Sequence, residues 1–320
     1  MKDLILGQTK LKSRIILAPM AGVTDLPFRR IVRRFGNFLM FSEMVASQAV
    51  IRNVKRTCKM MINDGDELTS VQIVGGEPHI MAEAARISVE LGAKLIDINM
   101  GCPVKKVVKT NAGSAIMKDE KLAAEIIRAI VRAVSAPVTL KTRLGWDMEH
   151  KNAVRIARIA EEEGIQMLSI HGRTRSQLYS GKASWADVAL VKEAVNIPVI
   201  VNGDIVDIET AERALKESRA DGIMIGRGAL GRPWVLRDIH NFLETGIKAQ
   251  VSLSSEEKFE NAKTHLEYML EFYDESTAIK LSRKVLAYYC KGTRNAAEFR
   301  NKITSVNSVK DMHNILRGIF

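Results

Sequence analysis

Leu95-Ile96-Asp97-Ile98-Asn99-Met100-Gly101-Cys102-Pro103 opens as a short, apolar, β-branched run of the kind that buried strands use. It breaks at a glycine, presents a cysteine and stops at a proline, which cannot continue a ladder. One thiol is therefore expected at the carboxyl end of a strand, facing a loop. In a barrel of parallel strands, that end carries the chemistry. Free cysteine also packs as a small hydrophobe, so Cys102 alone leaves a reactive thiol and a merely buried one both open.

Seven further runs resemble it. They are Arg14–Ala18, Phe38–Ser42, Ser70–Val74, Pro137–Lys141, Met167–His171, Pro198–Asn202 and Gly222–Gly226. Helical patterns fall between them, at Ile80–Leu91, Glu120–Val134, Asn152–Glu163, Trp185–Val195 and Ile208–Glu217. Strands alternating with helices imply βαβ units and a parallel sheet. Eight units imply an α/β fold of the (β/α)8 TIM-barrel type. A doubly wound sheet would want Gly-x-Gly-x-x-Gly after the first strand, where this chain has Ala18-Pro19-Met20-Ala21-Gly22. The widest gap between strand starts follows Cys102. Its surplus, Val104–Met117, holds Lys105, Lys106, Lys109 and Asn111-Ala112-Gly113-Ser114. A loop of that length is often functional, and here it is expected to close over the thiol with hinges at Asn111 to Ser114.

Beyond Thr245-Gly246 only helical periods remain. Ser254 and Glu257 make a capping box, and helices are expected to about Phe272, from Thr277 to Cys290, and around Ala296–Ile303 and Ser308–Leu316. The expected division is residues 1–245, a catalytic barrel, and 246–320, a small C-terminal helical bundle. Charge separates within the bundle. Residues 276–320 carry nine bases against Glu298 and Asp311. Lys280, Arg283 and Lys284 share one helix face by spacing, with Tyr288 and Tyr289 following. A basic face with aromatics nearby suits a nucleic-acid backbone, and a solvated surface produces the same pattern.

Composition narrows the field. The 320 residues carry a formal net charge of +11, which points toward a polyanionic partner and says nothing of fold. Three scattered cysteines, Cys58, Cys102 and Cys290, give no disulfide framework or zinc finger and fit a reducing cytoplasm. The six histidines form no ligand cluster, so no metal is expected. No apolar run suits a membrane span, and the N-terminal apolar stretch is too short for a signal peptide. A monomer is expected.

The other strand ends add polar groups. Strands seven and eight end Asn202-Gly203-Asp204 and Gly226-Arg227-Gly228. In this architecture the loops there form a phosphate site: glycines let backbone N–H groups close on the anion, and Arg227 adds charge. Strand five ends at Lys141, an inward cation that calls for an anionic partner. Strand six ends at His171, strand three offers the amide of Gln72, and Met20 offers a soft apolar floor. Together these describe a flavin mononucleotide (FMN) pocket.

Five segments together resemble the signatures of the tRNA-dihydrouridine synthase family, in its bacterial B-type subgroup. They are Ala18–Asp25, Asn99-Met100-Gly101-Cys102-Pro103, Lys141-Thr142-Arg143-Leu144-Gly145-Trp146, His171-Gly172-Arg173-Thr174-Arg175 and Gly226–Pro233. They occur in the family's order and span the chain from strand one into the tail. Gly228 departs mildly from the alanine expected there. The resemblance implies an oxidoreductase, a flavoprotein of tRNA processing that reduces the C5=C6 bond of a D-loop uridine, at position 17, with NADPH (or NADH) reducing FMN first. It implies that Cys102 is the acid protonating C5, its thiol kept protonated by apolar Met100 and Pro103. It implies FMN contacts at Ala18, Pro19, Met20, Gln72, Lys141, Asn202, Gly203, Asp204, Gly226 and Arg227, with Asn99 and His171 near flavin and target base. The RNA-binding residues expected on this reading are Lys105, Lys106, Lys109, Arg143, Arg173, Lys280, Arg283 and Lys284. Two other readings fit parts of the sequence. One is an FMN barrel acting on a free metabolite, as a dihydroorotate-type dehydrogenase does. The other is a non-catalytic RNA-binding protein.

Overall fold

The computed structural model describes residues 4–61, 70–248 and 253–320. The barrel strands are β1 (Ile15–Leu17), β2 in two pieces (Leu39–Met40 and Val45–Ala46), β3 (Ser70–Val74), β4 (Leu95–Met100), β5 (Val138–Arg143), β6 (Met167–His171), β7 (Val199–Asn202) and β8 (Gly222–Ile225). All pair in parallel. The first piece of β2 lies beside β1 and the second beside β3, with a Phe41–Ser70 bridge between them, so the sheet returns on itself. The expected strand 38–42 is thus shorter than predicted. Its ladder yields at Ser42, whose hydroxyl donates to Glu43 O at 2.9 Å and accepts from Gln72 N at 3.2 Å. Serine competes with a ladder in just this way.

Each strand is two-faced. Ile96, Ile98 and Met100 of β4 face outward into the layer shared with the helices, and Leu95 faces inward, as strand alternation requires. The barrel's lower interior is apolar: Ile16, Phe41, Leu95, Met167, Ile200 and Met224 pack there. A hairpin of Ile5–Leu6 and Thr9–Lys10 adds Leu4 and Leu6 to that core. The interior above it is polar, with Gln72, Asp97, Thr139, Asn99 and Ser169 all buried. The outer helices start where short side chains cap them: Asp119, Ser184 and Asp207 accept from the amides of Leu122, Asp187 and Thr210, each cap contributing about 1 kcal/mol.

The tail holds helices Ser255–Phe272, Glu275–Leu286, Ala296–Ser305 and Val309–Ile319, and the Ser254–Glu257 capping box is present. They enclose their own core, which Trp234 also joins. Polar contacts tie the tail to the segment after β1. Tyr273 Oη donates to Asp25 Oδ2 at 2.9 Å, Arg30 pairs with Glu271 at 3.0 Å, and Lys284 Nζ donates to Gly22 O at 3.4 Å. Among the described residues no helix is long and apolar enough to cross a membrane.

Candidate active site

Cys102 follows β4 and is 9% exposed. Its backbone is held on both sides. Asn99 Oδ1 accepts from Gly101 N at 3.1 Å and Cys102 N at 2.9 Å. Ser114 donates to Cys102 O from its backbone N at 3.1 Å and its hydroxyl at 2.9 Å. Gly113 lies against the same residue: a Cβ there would sit 2.8 Å from Cys102 O, at a φ of +61. The second half of the expected lid, Gly113–Met117, is therefore buried wall. Of Asn111 to Ser114, expected as hinges, Ser114 is bonded to the Cys102 carbonyl and Gly113 packs against it, while the amide of Asn111 donates to Val108 O. Only the first half, with Lys105, Lys106 and Lys109, is exposed.

Burial pushes the Cys102 thiol up, against the pull of the Val104 amide and of Arg143 and Lys141. Burial is the cause expected, but of the two residues named for it Met100 points outward into the helix layer, while Pro103 is buried beside Cys102. Lys141 is half-buried, and burial followed by repulsion from Arg143 lowers it to about 8. Among the described residues its one hydrogen bond is to Asn202 Oδ1, at 3.3 Å. Asn202 Nδ2 in turn donates to Met224 O at 2.8 Å. That leaves a cation at the mouth with one long hydrogen bond, to a neutral amide, and the buried carboxylate of Asp97 as the acidic side chain that acts on it.

His171 is held well below its usual range by burial and by Lys141, Arg143, Arg173 and Arg227 around it. It is neutral at pH 7. Arg173 Nη1 lies 3.3 Å from its Nε2. Arginine only donates, so Nε2 accepts and the ring proton sits on Nδ1. Arg143 and Arg173 do not lie on an RNA-facing surface as expected. They are 2% and 1% exposed. Arg143 donates to Gly101 O, Thr174 O and Leu178 O. Arg173 donates to Ser180 O and Gly181 O and pairs with Asp204 at 2.6 Å. Both brace the loop after β6 against the mouth.

The remaining expected residues line the same rim. Ala18 is buried, and Pro19 and Met20 half-buried, at the end of β1. A Cβ at Gly226 would lie 3.5 Å from both Ala18 Cβ and Met20 Sδ, so that glycine leaves room beside an apolar wall. Gly203 and Asp204 follow β7, and Arg227 reaches Asp204 at 3.4 Å. Gly228 has a local reason: a Cβ there would sit 2.5 Å from Ile205 O. Among the described residues no cluster of three or more His, Cys, Asp or Glu could hold a metal ion.

Two residues not expected from the sequence belong to the site, one at the mouth and one beneath it. Tyr179, 56% exposed, has Arg227 Cζ 4.7 Å and Arg143 Cζ 5.7 Å from its ring centre. A lone aromatic in a polar loop was the available signal. Asp97, 1% exposed, lies under the site and accepts from Gln72 and Thr139. Its signal was its place two residues before Asn99 on the inward face of β4.

The tail's basic trio divides. Lys280 and Lys284 are exposed, while Arg283 donates to Val306 O at 2.7 Å and Asn307 Oδ1 at 2.6 Å. Shared helix spacing places side chains side by side, but here the face turns partly toward the 306–307 loop. Tyr289, expected near an RNA surface, is buried with its hydroxyl 3.3 Å from His265 Nδ1.

The profile of the Dihydrouridine synthase (Dus) family matches residues 16–319. The chain is 49% identical over 304 residues to the "Probable tRNA-dihydrouridine synthase" of Rickettsia conorii, covering 94% of this chain and 92% of that one. It is 47% identical over 296 residues to tRNA-dihydrouridine synthase B of Pseudomonas aeruginosa, covering 92% and 89%. Among solved structures, histamine dehydrogenase from Rhizobium sp. 4-9 shares the fold with a TM-score of 0.58 at 13% identity, over 83% of this chain and 50% of that one. The match from β1 to the last helix, together with relatives at almost half identity over nearly their whole length, makes this chain a member of the dihydrouridine synthase family.

Proposed function

We propose that the chain is an FMN-dependent tRNA-dihydrouridine synthase that reduces the C5=C6 bond of a D-loop uridine, at position 17, with NADPH (or NADH) as electron donor. The observation carrying this reading is one mouth that joins Lys141, whose one hydrogen bond among the described residues is long, to the backbone-anchored thiol of Cys102. FMN, when bound, would supply hydride chemistry at uracil C6, with the nicotinamide as the source of its electrons. Lys141 and Asn202 would hold its pyrimidine edge, with Gln72 and Asn99 beside it and Ala18, Pro19 and Met20 as the apolar wall. Gly203, Asp204, Gly226 and Arg227 would take the phosphate end.

Cys102 Sγ–H gives its proton to C5. Hydride and proton together saturate the bond, and the thiolate regains a proton from solvent. Burial suits this role, because it keeps the acid protonated until the base arrives. His171 offers a neutral Nδ1–H donor. A uracil in a helix cannot reach the mouth unless it leaves its stack, and the exposed face of Tyr179 is suited to receive it. Lys105, Lys106 and Lys109 on one side, and Lys280 and Lys284 on the other, would meet phosphates. This assigns residues 1–245 to catalysis and 246–320 to tRNA, in the cytoplasm, where tRNA is. Lys284 touching the loop that leads from Met20 favours this over a free metabolite as substrate.

The test is to purify the protein, identify its chromophore, and map dihydrouridine in tRNA incubated with it and NADPH. Bound FMN and a new dihydrouridine are expected. A protein that takes up no FMN, or one that reduces a free pyrimidine but no tRNA, would refute the proposal.

A further inference from the structure

Below the mouth runs an unbroken chain of buried hydrogen bonds. Thr139 Oγ1 donates to Asp97 Oδ1 and Gln72 Nε2 to Asp97 Oδ2, each at 2.6 Å. Asn99 Nδ2 donates to Gln72 Oε1 at 2.8 Å. Asn99 Oδ1 then accepts the amides of Gly101 and Cys102. Register sets the first layer, since β3 and β5 place Gln72 and Thr139 opposite Asp97. Alternation places Asn99 one layer higher on the same face.

We infer that Asp97 is a positioning residue whose carboxylate sets the direction of this chain and so holds the Cys102 turn. An amide side chain has nearly the same shape either way round, so Gln72 and Asn99 could each point in two directions. A carboxylate only accepts, and a backbone N–H only donates. With Asp97 at one end, Gln72 must turn its NH2 down and its oxygen up. Asn99 must then turn its NH2 to Gln72 and its oxygen to the Cys102 amide. Both ends demand the same direction, and a single reversed amide would set donor against donor or oxygen against oxygen. Such a mismatch in a buried network is costly. Burial raises Asp97 to about 6, which leaves it ionised, and an acceptor only, at neutral pH.

The inference rests on the reading of Cys102 as the acid, and its test separates the two. The full-length protein as purified is treated with iodoacetamide across pH, and alkylation of the Cys102 peptide is followed by mass spectrometry. This readout needs no tRNA and no turnover. Asp97→Leu removes the acceptor. Asp97→Asn can keep the direction, with Oδ1 toward Gln72 and its NH2 toward the Thr139 hydroxyl. Asp97→Leu is expected to speed Cys102 alkylation about tenfold, and to lower kcat about tenfold with the KM for tRNA held within about twofold, as a loosened positioning group does. Asp97→Asn is expected to stay within about twofold on every measure. If Asp97→Leu does not accumulate, Gln72→Met cuts the same chain one link higher and is expected to accelerate alkylation equally.

Alkylation at the wild-type rate in the variant that accumulates would overturn the inference. Equal damage from Asp97→Asn and Asp97→Leu would also overturn it, and would assign Asp97 to holding the charge of Lys141. Altered alkylation in an enzyme that makes no dihydrouridine would leave this inference standing and sink the proposed activity.

Discussion

The barrel mouth and the helical tail use positive charge in opposite ways. At the mouth, Arg143 and Arg173 are buried and their guanidinium groups are spent on named carbonyls and on Asp204. In the tail, Lys280 and Lys284 stand exposed. Buried cations fix positions and cannot search for a partner. Exposed ones add a diffuse attraction for a polyanion and fix little, since solvent and salt screen them. Arg283 marks the boundary: it lies on the basic helix but is bonded like a mouth arginine.

The comparison breaks most readily at Lys141. Lys141→Met should weaken FMN affinity about 100-fold, as loss of a charged partner at an interface does. The pH dependence follows from the same group. Burial has lowered it to about 8, so FMN affinity should fall as pH rises through 8, and Lys141→Met should lose that dependence. Fluorescence titration of the cofactor between pH 6.5 and 9.5, a range spanning about 1.5 units either side of that value, reads both outcomes. An affinity flat with pH would place the titrating group elsewhere.

A charge reversal in the tail should have a smaller effect of a different kind. Lys280→Glu with Lys284→Glu should weaken tRNA binding about tenfold and flatten its dependence on salt by about two counterions, with FMN affinity unchanged. Binding isotherms at several salt concentrations check this, and an unaltered slope would move the RNA surface. Gly228→Ala should cost about 1–3 kcal/mol of stability, as overpacking does, because its Cβ would meet the fixed carbonyl of Ile205. Denaturant unfolding measures it. Arg283→Ala should sit lowest on the RNA scale, within about twofold of wild type in tRNA affinity, with its cost appearing instead as lost stability of about 1–3 kcal/mol for the hydrogen bonds it makes.

Much of this was legible in the sequence because periodicity is a local property. The eight runs needed only alternation with helices to be placed, and the Ser254–Glu257 box announced its helix. The places of Cys102, Lys141 and Asn202 at the strand ends were legible because periodicity fixes where each strand stops. What stayed hidden depends on which way a side chain turns. Sequence marks Arg143, Arg173 and Arg283 as charges, and only packing shows them filled by backbone carbonyls. Asp97 reads as one polar residue in an apolar run, and its meaning lies in Gln72 and Thr139, which are distant in the chain and adjacent in register. The split in β2 turned on the side-chain bonds of Ser42, which no periodicity records.

The most direct test of the account follows Cys102 in one turnover. Enzyme reduced under anaerobic conditions is mixed with unmodified tRNA, and flavin reoxidation and dihydrouridine are recorded together for wild type and Cys102→Ala. Cys102→Ala is expected to bind FMN and be reduced normally, yet to form dihydrouridine at least about 100-fold more slowly, the usual cost of losing a general acid. Dihydrouridine appearing at the wild-type rate without that thiol would contradict it.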